Sequence, residues 1–252
     1  MTISADLFGP IRSLTREFWN GDCLELMRDI PTGSVDMILC DLPYGTTACV
    51  WDSIIPFEPL WEQYRRVTKP NAAIVLTASQ PFTTALIASN YKMFKYCWVW
   101  DKKSAANVMN AKKHPLKVHE DVVVFGKGSV RYIPQMQIGK MRLKGGANRK
   151  STGIYGQDRI EIGVVNDQYY PKSILEVSNA SQTDKFHPTQ KPVALFEYLI
   201  RTYTNPGDTV LDNCAGSGTT AIAAINSDRG YICIEKDAEY YRRASERIAS
   251  HA

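Results

Sequence analysis

The sequence lacks the features of membrane and secreted proteins. No apolar run in its 252 residues approaches the ~18 residues that a membrane helix needs, and the stretch AAIVLTA at 72–78 has only the length of a strand. The amino-terminal segment MTISADLFGPIRSLTRE has no basic part followed by an apolar core, so it does not resemble a signal peptide. These absences predict a cytoplasmic protein with no membrane partner.

Cysteine pairs are also absent. The six cysteines are scattered along the chain and form no C-x-x-C pair: Cys23, Cys40, Cys49, Cys97, Cys214 and Cys233. A zinc site is therefore disfavoured, and a disulfide framework is not expected in a chain of this size. Because 44% of the residues are hydrophobic, global disorder is excluded, and the length suits one large domain or one domain with a sizeable insertion.

Acidic residues are scarce in one part of the chain. Residues 92–150 contain 14 Lys and Arg but only 3 Asp and Glu, a net charge of +11, whereas the remaining residues carry a net charge of −7. A one-sided block of this kind indicates a polyanionic partner. Aromatic residues accompany it and offer faces for stacking on bases: Tyr91, Phe94, Tyr96, Trp98, Trp100 and Tyr132. Tyr96, Trp98 and Trp100 also alternate as one buried face of a strand would, which explains them equally well.

The hydrophobic pattern predicts an α/β protein. Strands are predicted over 16–20, 34–40, 71–78, 93–100, 120–126, 208–213 and 229–235, and helices over 23–30, 59–67, 81–90, 192–203, 218–226 and 237–250. Strands separated by helices indicate a mainly parallel sheet. Between 127 and 184 the periodicity is lost and Gly, Lys, Arg and polar residues dominate. So long an irregular segment is usually functional or disordered.

A glycine-rich turn is the first motif that carries chemistry. VLDNCAGSGTTA at 210–221 joins a predicted strand to a predicted helix. Gly216 and Gly218 allow the backbone to bend and approach a ligand, and free amides at a helix start favour an anionic group. Glu235 ends the next strand, where its carboxylate is placed to accept hydrogen bonds from ribose hydroxyls. The motif predicts an adenosine-type cofactor but also fits the dinucleotide pattern G-x-G-x-x-G/A, so a nicotinamide-dependent oxidoreductase stays an alternative.

The second motif, LCDLPYG at 39–45, follows an apolar strand. Ligands of open α/β sheets bind at the carboxyl ends of the strands. Asp41 there is able to accept a hydrogen bond from an amino group, and the ring of Tyr44 is able to stack on a planar base. Taken alone, the motif is explained equally well by an aspartate that caps a helix in a proline turn.

Together the two motifs resemble those of the S-adenosylmethionine-dependent amino-methyltransferases of DNA. That family carries D/N/S-P-P-Y and F-x-G-x-G motifs, which read DLPY at 41–44 and CAGSG at 214–218 in this chain. GDC at 21–23 is similar to the family's acidic turn near the cofactor adenine, and HPTQKP at 187–192 to its H-P-T-x-K-P segment near the methionine end. HED at 119–121 opens the strand that usually follows a basic stretch. The resemblance covers about 16–126 and 185–250.

The order of the motifs resembles that of the β group of this family. The DLPY motif comes first, the irregular segment follows, and the glycine motif is last, which also argues against the glutamine-amide methyltransferases of proteins. The resemblance implies a Rossmann-like methyltransferase sheet, mostly parallel with one antiparallel strand and circularly permuted. It implies a catalytic domain over 15–126 and 185–252 and a target-recognition segment over 127–184.

The resemblance also implies which residues form the site. The catalytic residues are expected to be Asp41, Leu42, Pro43 and Tyr44. The cofactor-binding residues are expected to be Asp22, Cys23, Asp41, His187, Thr189, Lys191, Asp212, Asn213, Cys214, Ala215, Gly216, Ser217, Gly218, Thr219, Glu235 and Lys236. The DNA-binding residues are expected to be Lys102, Lys103, Lys112, Lys113, Lys140, Arg142, Lys144, Arg149 and Lys150.

Two residues depart from the family pattern. Leu42 replaces the first proline of the motif but retains the backbone carbonyl that faces the target amine, so only stiffness is lost. Cys214 replaces the usual phenylalanine of the glycine motif and packs less surface against the cofactor. Neither change removes a group that the chemistry needs.

The implied reaction is methyl transfer from S-adenosylmethionine to the N6 amino group of adenine in double-stranded DNA, with the base flipped out of the helix. Asp41 and the carbonyl of Leu42 would accept hydrogen bonds from the amine, and no metal or covalent intermediate is implied. The absence of a Pro-Cys dipeptide removes the cytosine C5 enzymes. An aspartate in the first motif position usually accompanies adenine, and a serine usually accompanies cytosine N4. Cytosine N4 stays an alternative because both amines would be served by the same acceptors. A DNA-binding protein that has lost catalysis is a third alternative. The resemblance leaves open whether the chain forms a homodimer and whether a cognate restriction endonuclease is its partner.

Overall fold

The computed structural model describes residues 14–45, 52–106, 108–144, 164–180, 185–187 and 189–251. The strands among these residues are β1 (Arg16–Asn20), β2 (Val35–Cys40), β3 (Thr68–Ala78), β4 (Phe94–Ala106), β5 (Lys117–Phe125), β6 (Gln137–Lys144), β7 (Val164–Tyr169), β8 (Ile174–Glu176), β9 (Thr209–Asp212) and β10 (Gly230–Glu235). The helices are α1 (Cys23–Leu26), α2 (Phe57–Val67), α3 (Phe82–Ser89), α4 (Val193–Tyr203), α5 (Thr219–Ile225) and α6 (Ala238–Ala249).

Eight strands form one sheet in the order β1-β10-β9-β2-β3-β5-β4-β8. Every neighbouring pair is parallel except those of β5, which is antiparallel to both β3 and β4. The predicted sheet, mostly parallel with one antiparallel strand, is confirmed. The circular permutation stays a prediction from the motif order.

The sheet is buried on both faces because helices cover each side. In β2, Met37 and Leu39 face one hydrophobic cluster, which α4, α5 and α6 complete, whereas Ile38 and Cys40 face a second cluster completed by α1, α2 and α3. All six residues of β2 are buried. A parallel strand covered on both faces reads as a continuous apolar run, which is the pattern that the sequence shows there.

The aromatic residues of β4 belong mainly to this core. Trp98 and Trp100 are 4% and 1% exposed. The indole Nε1 of Trp98 donates to the hydroxyl of Tyr203, which lies 3.0 Å from the hydroxyl of Tyr96. The alternation of these aromatics therefore reflects core packing, and stacking on bases is wrong for Trp98 and Trp100.

The segment predicted to be irregular contains three strands, which corrects that part of the prediction. β6 and β7 pair with each other as a separate antiparallel sheet, and β8 joins the edge of the main sheet beside β4. Apolar residues of the small sheet, such as Ile138, Met141 and Leu143, are exposed. With no buried face to specify, these strands need no regular alternation, so their residues show no period that a strand prediction could detect.

The chain divides into two compact units. One is built from the described residues up to Ile133 and from Ser173 onward, and the other is Pro134–Lys172. The first unit contains the large sheet and the six helices named above. Among the described residues, no helix has the length and apolar character needed to cross a membrane.

Candidate active site

The two motifs meet because their strands are neighbours. β2 pairs in parallel with β9, with Met37 opposite Val210, so the DLPY segment after β2 and the glycine turn after β9 emerge at the same edge of the sheet. A cavity of about 980 Å³ opens at this edge. All four predicted catalytic residues line it, as do all predicted cofactor residues except Gly218.

The glycine turn has the left-handed backbone that its glycines were expected to supply. Gly216 has φ +51° and Gly218 has φ +73°. A Cβ on Gly218 would also lie 2.9 Å from Cδ1 of Ile248 in α6, so this glycine permits close packing of the turn below the cavity. Its role is to shape the turn, because it does not line the cavity itself.

Several amides of this turn are already occupied by protein acceptors. The amide of Cys214 donates to Asp212 (3.0 Å), that of Gly216 to Glu235 (2.7 Å) and that of Gly218 to the carbonyl of Ala215 (2.8 Å). The sequence predicted free amides for an anionic ligand, and these three are not free. The protein itself holds the turn in shape.

Glu235 links the end of β10 to the glycine turn. Its Oε2 accepts from the amide of Gly216, and its Oε1 accepts from the amide of Asp237 at 2.8 Å. Burial raises the pKa of Glu235, although these backbone amides oppose the shift. Asp237, and not Glu235, caps α6 by accepting from the amides of Glu239 and Tyr240. Glu235 lines the cavity.

The Gly-Asp-Cys turn forms another part of the wall. Asp22 caps α1 through the amide of Leu24 at 2.9 Å and pairs with the ammonium of Lys236 at 3.0 Å. Burial alone would raise the pKa of Asp22, but the hydrogen bonds from Lys236 and Leu24 outweigh it and lower the pKa. The Lys236 side chain is 77% exposed, so this pair lies at the rim of the cavity.

Asp212 and Asn213 support the turn from within. Asp212 is 2% exposed, and burial raises its pKa to about 6, while its oxygens accept from Thr220 and from the amide of Cys214. Asn213 accepts from the hydroxyl of Tyr64 at 2.5 Å and lies 3.6 Å and 3.4 Å from the sulfurs of Cys23 and Cys214. Both residues line the cavity while bracing its wall.

The predicted methionine end contains a neutral histidine. Burial lowers the pKa of His187 to about 4, so its imidazole is uncharged at neutral pH. The hydroxyl of Thr189 lies 3.1 Å from Nδ1 of His187, and the ring of Tyr240 lies 4.3 Å away, edge on. Pro188 of this segment lies outside the described residues.

Asp41 is the most densely bonded carboxylate of the site. Its Oδ1 accepts from the hydroxyls of Tyr44 (3.0 Å) and Thr77, and its Oδ2 accepts from the ammonium of Lys191 at 2.6 Å. A carboxylate offers about four lone-pair positions. The described residues take three of them, which leaves one on Oδ2 for a donor in the cavity.

Lys191 forms an ion pair with Asp41, a contact that the sequence did not predict. It was expected among the cofactor-binding residues, but its side chain is 7% exposed and its ammonium lies 2.6 Å from Oδ2 of Asp41 and 3.7 Å from Oε2 of Glu120. Burial alone would lower the pKa of Lys191, but the two carboxylates outweigh it and raise the pKa. The lysine is therefore a charged partner of the DLPY motif.

Tyr44 is held firmly beside Asp41. Its hydroxyl donates to Asp41 and lies 3.2 Å from the hydroxyl oxygen of Thr77, and its ring stacks on Phe82 with centroids 5.1 Å apart. Burial raises the pKa of Tyr44 well above its ordinary value, so the phenol stays protonated. Leu42 is buried at 3% exposure in the hydrophobic cluster that contains Ile38 and Cys40.

Sequence reasoning missed Thr77 and Glu120 and assigned Lys102 to DNA binding instead of to this site. Thr77 lies in β3, and Glu120 and Lys102 form an ion pair at 3.1 Å between β5 and β4. Strand periodicity was the signal that could have found the last two. Lys102 continues the buried face of Trp98 and Trp100, and Glu120 continues that of Val122 and Val124.

This pairing corrects the prediction that Lys102 binds DNA. The residue is 7% exposed, and its ammonium is committed to Glu120 in the cavity wall. Lys103 is half-exposed and paired with Asp101 and Glu176. The exposed members of the predicted set are Lys112, Lys113, Lys140 and Arg142, while Lys144 ends β6, and Arg149 and Lys150 lie outside the described residues.

Comparison with known proteins identifies the class of protein that this fold and site define. Residues 35–246 match the model of a family described as DNA methylase, which includes the N6 and N4 amino-methyltransferases. The chain belongs to this family. The predicted family is confirmed, and with it the S-adenosylmethionine cofactor that membership implies.

One curated relative supports this assignment, and two solved structures share the fold. The chain is 30% identical to the DNA adenine methyltransferase YhdJ of Escherichia coli K12, over 92% of this chain and 83% of the relative. Among solved structures, the M1.HpyAVI–SAM complex has a TM-score of 0.64 at 24% identity, covering 93% of this chain and 99% of that one. The cytosine-N4-specific PvuII DNA methyltransferase has a TM-score of 0.65 at 18% identity, covering 94% and 92%.

Proposed function

We propose that this DNA methyltransferase is specific for a defined site and transfers a methyl group from S-adenosylmethionine to N6 of adenine in double-stranded DNA. The observation that carries the proposal is the position on Oδ2 of Asp41 that the described residues leave open, at the edge of a cavity that the glycine turn and Glu235 also line. A carboxylate so placed is suited to accept a hydrogen bond from an amino group. Because the proposed substrate is cellular DNA, the proposed place of action is the cytoplasm.

The cavity fits the cofactor in size and chemistry. Small-molecule sites measure about 300–1,000 Å³, and this one lies at the upper end, with room for a flipped base as well. Glu235 would hold the ribose hydroxyls with the lone pairs that its two amide donors leave over. His187, uncharged, would lie beside the sulfonium end without repelling it. The bound cofactor supplies the activated methyl group.

The residues of the chain contribute mainly by positioning. The amine of adenine is a poor nucleophile because its lone pair is delocalised into the ring. Asp41 and the carbonyl of Leu42 would accept hydrogen bonds from the two N–H groups of the amine, which favours a pyramidal nitrogen with its lone pair directed at the methyl group. Tyr44, fixed by Asp41 and Phe82, would present its ring edge and remaining surface to the flipped base. Direct displacement then depends on orientation and on a preorganised field.

Adenine is preferred to cytosine for two reasons. The aspartate at position 41 is the residue that usually accompanies adenine in this family, and the similar YhdJ is named as an adenine methyltransferase. Cytosine N4 is the second candidate, favoured by the shared fold with the PvuII enzyme. Both amines would be served by the same acceptors, so the choice needs a chemical test.

Modified-base sequencing tests the proposal most directly. DNA from methylation-deficient cells that express the chain should contain N6-methyladenine at one short recurring sequence and none in cells that express Asp41→Ala. N4-methylcytosine at a recurring sequence would replace the adenine proposal by the second candidate. Unmodified DNA together with full expression would contradict both.

We further propose that the unit Pro134–Lys172, together with Lys112 and Lys113, reads the DNA sequence. β6 presents Lys140 and Arg142 to solvent, and Lys112 and Lys113 are exposed after β4. Exposed cations of this kind neutralise phosphates, and arginine is also able to read guanine edges. A homodimer and a cognate restriction endonuclease are partners that would suit such an enzyme. The endonuclease is suggested because one similar protein, of Haemophilus parainfluenzae, is named Type II methyltransferase M.HpaI.

Replacement of Lys140 and Arg142 by alanine is expected to weaken DNA binding and to lower the salt dependence of the binding constant, by about one unit of slope for each phosphate that is no longer neutralised. Affinity for S-adenosylmethionine should not change. Binding titrations at several salt concentrations measure the slope. The matched control is Arg28→Ala with Arg65→Ala, which removes the same charge from exposed positions outside the basic block. Equal losses in the two double variants would show that only net charge matters.

A further inference from the structure

The Lys191 ammonium lies between two carboxylates on opposite elements. Asp41 follows β2 and is 2.6 Å away, while Glu120 belongs to β5 and is 3.7 Å away. Glu120 is in turn bound through its other oxygen to Lys102 at 3.1 Å. All four side chains are less than a fifth exposed, and the two carboxylates balance the two ammonium groups.

One oxygen of this cluster is left without a hydrogen bond. Oε2 of Glu120 is buried and accepts none from the residues that the structure describes. It is the oxygen that faces Lys191. A buried carboxylate oxygen without a hydrogen bond costs free energy. Packing alone therefore does not explain why Glu120 is buried beside Asp41.

We propose that Glu120 is a positioning residue for methyl transfer, acting through Lys191. Facing Asp41 alone, a buried ammonium would settle onto that carboxylate and cover the remaining position on Oδ2. The charge of Glu120 pulls Lys191 toward the other side, so that Lys191 fixes Asp41 while the position for the target amine stays open. This inference rests on the proposed role of Asp41.

The incoming amine gives Glu120 a second use. As the amine donates to the open position on Oδ2 of Asp41, it weakens the hydrogen bond that Lys191 donates to the same oxygen. Lys191 needs to approach Oε2 of Glu120 by only about 1 Å to form a charge-assisted hydrogen bond there. Oε2 of Glu120 thus offers Lys191 a second acceptor while Asp41 bonds the substrate.

The test is Glu120→Gln, which keeps the shape of the side chain and an acceptor for Lys102 but removes the charge. The single-turnover rate constant for methyl transfer, at saturating DNA and S-adenosylmethionine, is expected to fall at least about tenfold. The dissociation constant of the cofactor is expected to stay within about twofold of wild type. The matched control is Glu176→Gln, which breaks an exposed lysine pair in β8 and should leave both values unchanged. Glu120→Asp, which keeps the charge, should recover part of the rate and also guards against misfolding of the first variant.

A double variant separates action through Lys191 from direct action on the base. If Glu120 acts only through the lysine, adding Glu120→Gln to Lys191→Met should cost no further rate. The proposal would be overturned if the rate losses of the two single variants multiplied in the double variant. A wild-type rate for Glu120→Gln, or a parallel loss of its cofactor affinity, would also overturn it. A wild-type protein that transfers no methyl group would instead refute the proposed function itself, and this inference with it.

Discussion

Asp41→Ala is expected to lower methyl transfer at least about a hundredfold, the scale seen when one preorganised electrostatic group is removed from an active site. The physical reason is that Asp41 carries the acceptor position open to the target amine. Affinity for S-adenosylmethionine should stay nearly unchanged, because Asp41 is proposed to act on the target amine and not on the cofactor. Single-turnover kinetics and calorimetry on the same preparation measure the two quantities.

The structure indicates that this variant will fold. Removing one partner of a buried ion pair usually costs about 3–5 kcal/mol because a charge is left alone. Here Lys191 keeps Glu120 at 3.7 Å, so its charge retains a partner. Asp29→Ala, at an exposed position away from the cavity, is the matched control. Retention of more than roughly a tenth of the wild-type rate, a loss below ~1.4 kcal/mol, would show that Asp41 has another role.

The parts of the site that lie at strand ends could be predicted from the sequence. Apolar runs ending in DLPY and in the glycine turn marked two buried parallel strands, and parallel strands deliver their carboxyl ends to one edge. That rule was enough to bring Asp41, Gly216 and Glu235 together, and the cavity contains all three.

The contacts between charged side chains could not be predicted in the same way. A lysine in a sequence is usually interpreted as a surface cation, but Lys102 and Lys191 are both buried, at 7% exposure. Their partners come from positions far along the sequence, Glu120 for Lys102 and Asp41 for Lys191. Strand periodicity places Lys102 and Glu120 on buried faces, but which carboxylate each lysine meets follows from the packing of β4, β5 and the segment before α4.

The small sheet of β6 and β7 was missed for the opposite reason. Within the described part of the chain, its strands pair only with each other, and several apolar side chains there remain exposed. Patterning is strict only where one face is buried. Strands whose apolar side chains stay exposed have no such constraint, so their sequence does not show a strand pattern.

Glu235→Ala is expected to weaken S-adenosylmethionine binding at least about tenfold, because each lost charged hydrogen bond is worth ~1.5–3 kcal/mol. The structure adds a second cause to the loss of a ribose acceptor. The carboxylate also holds the amides of Gly216 and Asp237, so its removal loosens the turn that bounds the cavity. Glu235→Gln, which keeps an oxygen acceptor, should lie between alanine and wild type.

The pH dependence of cofactor binding provides an independent check on Glu235. Because burial raises its pKa, the carboxylate takes up a proton at a higher pH than an ordinary glutamate. Affinity that depends on the charged form is therefore present above that pKa and is lost as the pH falls through it. Calorimetry across this acid range should show the loss in wild type and in the exposed control Glu246→Ala, but a flatter profile in Glu235→Gln. The same profile in all three proteins would remove Glu235 from the cofactor site.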